Sequence, residues 1–89
     1  MKTFILAAGL AAAAAAMPTA AFAQSCYDLW YERNLIYAEN GYCFKTRLAR
    51  RTFRNYDCWT DNPRLSRWEQ RRVAQIQRQE RRRGCRVNR

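Results

Sequence analysis

Residues 25–41 read SCYDLWYERNLIYAENG, and the punctuation of this stretch sets the fold class. Ser25 with Asp28 three residues on is a capping box. The hydroxyl accepts from the backbone N–H of the third helical residue, and the carboxylate reaches back to the cap's own N–H. Asn40-Gly41 is the matching stop, because glycine enters the left-handed conformation that ends a helix at little steric cost. Between these marks Cys26, Leu29, Trp30, Arg33, Ile36 and Tyr37 recur at helical spacing on one face, which reads as core. Arg33 is the one cation among these apolar neighbours. Its stem can pack, and its guanidinium needs an acid, a carbonyl or an aromatic ring.

Toward the C-terminus, the Gly41-Tyr42-Cys43-Phe44 turn leads to Thr46, which can cap a short helix from Arg47 to about Arg54. Asn55 is the exit into a loop carrying Cys58, Trp59 and Pro63. Ser66 and Glu69 repeat the capping box, and Leu65, Trp68, Val73 and Ile76 fall on one side of a third helix. Beyond Ile76 that side carries Gln79, Glu80 and Arg83, so the last two turns are expected to run past the core into water until Gly84. The fold expected is mostly α, a small three-helix single domain.

Toward the N-terminus, residues 1–23 read as an export address. Lys2 gives a positive start, Phe4 to Ala16 is an apolar run, Pro18 breaks it, and Ala21-Phe22-Ala23 is a small-residue cleavage site. The run is shorter than the roughly twenty residues needed to cross a hydrocarbon core, and no later stretch is long and apolar enough to do so. Gln24 directly before Ser25-Cys26 fits a lipoprotein signal poorly. The expectation is a cleaved leader, a domain of residues 24–89, and a periplasmic or secreted location.

Such a domain buries only about 60% of its unfolded surface, so its core needs help. Cys26, Cys43, Cys58 and Cys85 all lie beyond the leader, and export places them where disulfides persist. Four cysteines allow three pairings. If the first and third helices pack antiparallel, the start of one meets the end of the other, which pairs Cys26 with Cys85 and leaves Cys43 for Cys58. Zinc is not expected, because the cysteines are widely spaced and the chain has no histidine. The same missing histidine takes away the commonest partner of a cysteine or serine nucleophile. The acids Asp28, Glu32, Glu39, Asp57, Asp61, Glu69 and Glu80 form no recognisable catalytic constellation, so no enzyme, cofactor or metal is expected.

Leu29, Leu35, Ile36, Leu48, Leu65, Val73, Ile76 and Val87 make a thin aliphatic core, and Tyr27, Trp30, Tyr31, Tyr37, Tyr42, Phe44, Phe53, Tyr56, Trp59 and Trp68 must fill it. Each ring buries on the order of 150 to 250 Å², more than three short helices can hide in total. Most rings are expected in the core with two or three partly exposed, and an exposed ring is suited to stacking on a sugar or a base.

Leu29-Trp30, Arg33-Asn34, Tyr37-Ala38, Gly41-Tyr42-Cys43-Phe44, Phe53, Asn55 and Leu65-Ser66 stand at the spacing of the YARHG domain, a short presumed extracellular bacterial domain, which the chain resembles over nearly all of residues 24–89. The naming motif falls on Tyr37-Ala38-Glu39-Asn40-Gly41, so the family's arginine is Glu39 and its histidine is Asn40. A role resting on that basic pair does not carry over. The resemblance implies location and domain identity, and it implies no activity.

Charge is the remaining clue. Without Lys2, sixteen Lys and Arg stand against seven Asp and Glu. Arg64, Arg67, Arg71, Arg72, Arg78, Arg81, Arg82, Arg83, Arg86 and Arg89 crowd the C-terminal third, and their planar forks suit carboxylates and phosphates. Part of this is a solvated helix face, with Arg81-Arg82-Arg83 complementing the helix C-terminus. The rest points to an anionic partner, expected at Arg64, Arg67, Arg71, Arg72, Arg78, Arg81, Arg82 and Arg83. Lipid phosphates, lipopolysaccharide and acidic cell-wall polymers are the envelope candidates; extracellular nucleic acid and a protein partner or inhibitor role are the alternatives.

Overall fold

The computed structural model describes residues 24–87. The expected leader, residues 1–23, and Arg89 lie outside the described residues. Helix α1 spans Cys26–Glu39, α2 Arg47–Thr52 and α3 Arg67–Arg83. The architecture is three helices with no strand among the described residues.

Both capping boxes are complete. Asp28 N–H donates to Ser25 Oγ at 3.0 Å and Ser25 N–H to Asp28 Oδ2 at 3.2 Å. At α3 the pair Ser66 and Glu69 makes the same two bonds at 3.1 and 2.8 Å. Thr46 caps α2 through the Ala49 N–H. That helix closes at Phe53, two residues before the expected exit, because Phe53 turns inward as a buried ring.

Helix α1 is buried on two sides rather than one. Trp30, Asn34 and Ala38 form one ridge, and Trp30 and Ala38 join Ala49 and Phe53 in a cluster flanked by Leu35, Phe44, Leu48 and Val87. Leu29 and Ile36 form the other buried ridge, on the helix that packs along α3, whose own buried residues are Val73 and Ile76. A helix covered on two sides has no single apolar stripe, so its periodicity marks only part of its core. Asn34 is the buried polar residue of this helix, and its amide donates to Trp30 O at 2.9 Å, which removes the cost of an unpaired group.

Helices α1 and α3 run antiparallel. Cys26 at the start of α1 is bonded to Cys85 just past α3, with Cα atoms 5.4 Å apart. At the opposite end Asn40 Nδ2 donates to Glu69 Oε2 at 3.1 Å. Between these ends Arg33 grips Glu80 with two bonds of 2.9 and 3.0 Å, and Arg72 grips Glu32 with two of 2.6 Å. The last turns of α3 therefore do not run free into water. Glu80 sits on α1, Arg83 donates to the Gln24 carbonyl, and the chain is tied at Cys85. Arg72–Glu32 flanks the apolar stripe at Val73, and Arg33–Glu80 takes over the seam where the stripe ends after Ile76.

The second disulfide, Cys43–Cys58, closes the link between α1 and α3, with Cα atoms 4.9 Å apart. Beside it the chain makes a short parallel bridge between Tyr42 and Thr60. Cys43 N–H donates to Thr60 O, and the N–H groups of Trp59 and Thr60 both donate to Gly41 O. Gly41 has φ of 79°, and a Cβ there would overlap the Trp59 indole that lies across it.

Candidate functional site

Five aromatic rings, Tyr27, Tyr31, Tyr56, Trp59 and Trp68, are exposed, more than the two or three the composition leads one to expect. Trp68, which helical spacing assigns to the inner side of α3, is 61% exposed. The inward positions go instead to Val73 and Ile76, and Trp68 stands one turn before them on the flank. With Arg71, Arg72, Gln75 and Arg78 it lines a shallow groove of about 320 Å³.

The arginines of the C-terminal third divide by what they touch. Arg72 is half-buried and held by Glu32, so it leaves the set expected to bind anions, because an external anion would have to displace that carboxylate. Arg83 is tethered through one nitrogen to Gln24 O. Arg64, Arg67, Arg71, Arg78, Arg81 and Arg82 are exposed and make no ion pair among the described residues. On a helix turning 100° per residue, Arg67, Arg71, Arg78 and Arg82 fall within one narrow stripe, about 22 Å long at 1.5 Å per residue.

Five of the seven acids are occupied elsewhere, and Glu39 and Asp57 are exposed. Asp28 and Glu69 complete the caps, Glu32 and Glu80 bind across the helix seam, and Asp61 takes Lys45 at 2.8 Å. The Arg72 guanidinium holds the Glu32 carboxyl below the ordinary glutamate range, against the opposing effect of burial. Glu69 is lowered first by the Ser66 backbone N–H and then by the Asn40 amide. Both pKa values are lower in the folded state, so the stabilisation is present above the ordinary glutamate value of 4.5 and is lost as pH falls through the folded values. Replacing Arg72 with Gln is expected to raise the Glu32 titration midpoint toward the ordinary range, read by carboxyl NMR. An unchanged midpoint would show that Arg72 does not set it.

The residues around the Tyr37–Gly41 motif form one connected piece. Leu29, Trp30 and Asn34 lie in the interior, Arg33 reaches Glu80, and the Tyr37 and Tyr42 rings meet at 5.8 Å. Tyr42 meets Phe44 edge-on at 5.0 Å, and Phe44 stacks on Phe53 at 5.2 Å. The family model of the YARHG domain matches residues 2–81. The chain belongs to the YARHG domain family. That match takes in most of residues 1–23, ends before Cys85, and contains Leu29, Trp30, Arg33, Asn34, Tyr37, Gly41, Tyr42 and Phe44. No curated protein and no solved structure is significantly similar to the chain.

Within this YARHG domain Asn40, at the position of the family's histidine, has a structural task. Its amide donates to Ile36 O at 2.8 Å, closing α1, and to Glu69, joining α1 to the start of α3. Glu39, at the arginine position, is exposed. The two disulfides and the YARHG assignment are consistent with an extracellular or periplasmic location. Among the described residues no helix is long and apolar enough to cross a membrane.

Sequence reasoning passed over a second feature. Tyr42, Phe44, Phe53 and Tyr56, with Lys45, Arg50 and Arg54, line a half-open cleft of about 380 Å³ over the Cys43–Cys58 disulfide. Its residues come from the turn, α2 and the following loop, and no periodic pattern within one segment announces them.

Proposed function

We propose that the chain is an exported, non-enzymatic YARHG domain that holds an anionic component of the cell envelope against the arginines of α3. The observation that carries this reading is the stripe Arg67, Arg71, Arg78 and Arg82, exposed and without internal acid partners among the described residues. Four forks in a line suit an extended polyanion better than a single ion, and each can take a carboxylate or phosphate with two parallel bonds. Trp68 on the flank of the stripe adds an amphipathic ring of the kind that settles at interfaces. The leader expected at residues 1–23 brings this surface to the envelope.

The test is retention of the oxidised domain on peptidoglycan carrying acidic polymers, on anionic vesicles and on duplex DNA across a salt series. Envelope material is expected to hold the protein at salt concentrations that release it from DNA. Replacing Arg71 and Arg78 together with Gln is expected to weaken that retention roughly thirtyfold, at about 1 kcal/mol for each cation near an anionic surface. The same salt slope on all three materials, or full retention of the double variant, would overturn the reading. DNA binding that outlasts the others would favour the nucleic-acid alternative.

A further inference from the structure

We propose that the cleft over the Cys43–Cys58 disulfide is a second binding site, and that its ligand is an acidic sugar, a pyranose carrying a carboxylate. It shares no residue with the α3 groove. Its volume of about 380 Å³ lies in the range of small-ligand sites, about 300 to 1,000 Å³.

The charge of the lining selects the sign of the ligand. Lys45, Arg50 and Arg54 border the cleft, and no Asp or Glu lines it. Lys45 is shared with Asp61, but the other two are free to act. Arg50 donates its Nε–H to Phe44 O at 3.1 Å, which fixes the guanidinium and leaves the two terminal nitrogens for an incoming carboxylate. Arg54 is exposed and makes no ion pair among the described residues.

The rings select the shape. Phe53, itself buried, forms the floor and stacks on Phe44 at 5.2 Å and 22°, while Tyr42 meets Phe44 edge-on and Tyr56 stands at 70° to Phe53 with 41% of its surface exposed to offer a ring face. A ring face carries negative potential and draws the weakly positive C–H bonds of a pyranose face, while sugar hydroxyls meet the tyrosine hydroxyls and arginine N–H groups. A lipid tail would find cations round the rim, and an inorganic anion would make no use of the rings. The disulfide holds the Tyr42–Lys45 side to the Tyr56–Cys58 side, so the cleft is preformed when the bridge is closed.

The experiment is NMR titration of the oxidised domain with a galacturonic acid trimer and, separately, with the neutral galactose trimer. The acidic trimer is expected to shift Tyr56, Phe44 and the Arg54 side chain, and to bind at least about tenfold more tightly than the neutral one, as two charge-assisted contacts allow. Tyr56→Ala and Arg54→Gln should each weaken binding about tenfold. Both side chains are exposed, and the Arg54 change keeps the test open should Tyr56→Ala disturb folding. In the Arg71 and Arg78 double variant the shifts at Tyr56, Phe44 and the Arg54 side chain should persist whatever contact the trimer loses at α3, which separates this site from the α3 surface. Equal affinity for both trimers, shifts confined to α3, or undiminished binding by Arg54→Gln would each overturn the proposal.

Discussion

Reducing both disulfides is expected to remove most of the helical circular dichroism of the oxidised domain. The Cys26–Cys85 bridge spans 59 residues and Cys43–Cys58 spans 15. In the chain-entropy description such loops contribute about 4 and about 3 kcal/mol respectively. A domain this short has a total stability of the same order, at roughly 0.05 to 0.15 kcal/mol per residue. The fully buried apolar side chains of the seam are few, with Leu29 and Ile76 the largest of them. Cys26→Ser with Cys85→Ser should alone cost about 4 kcal/mol, because it also frees the end of α3 from the start of α1. Cys43→Ser with Cys58→Ser should cost less and loosen the loop before the helices. Helicity that survives complete reduction would show that the core suffices without the bridges.

Gly41→Ala should be the most damaging single change in the loop region. At φ of 79° an L side chain is strained by about 1 to 2 kcal/mol. The new Cβ would also overlap the Trp59 indole, and forced overpacking adds about 1 to 3 kcal/mol. The combined loss of roughly 3 kcal/mol would be read from urea unfolding. A double-mutant cycle separates the two causes. In a Trp59→Ala background the overlap disappears and the backbone strain remains, so the cost of Gly41→Ala should fall by about half. An equal cost in both backgrounds would show that Trp59 does not rest on Gly41.

Local grammar made the helices readable. Ser25 with Asp28, Thr46, and Ser66 with Glu69 are contacts between residues three apart, so spacing alone reveals them. Arg33 was legible as a cation needing a partner, but Glu80 as that partner was not, since the pair joins residues 47 apart and is set by the register of two helices. The same applies to Arg72. Nothing in a run of similar arginines marks the one that meets Glu32. Trp68 misled because helical period defines a side and not its edge, and the edge lies in water. Gly41 reads as a helix stop in the sequence. Its second role, as the floor under Trp59, depends on a loop that returns to it through the Cys43–Cys58 link.

Binding at either surface requires an exported, oxidised domain, and the intact mass of the chain recovered outside the cytoplasm, taken before and after reduction, tests that directly. The expected product begins at Gln24 and gains the hydrogens of four thiols only on reduction. A product that retains residues 1–23, or one whose four cysteines are already free, would contradict it.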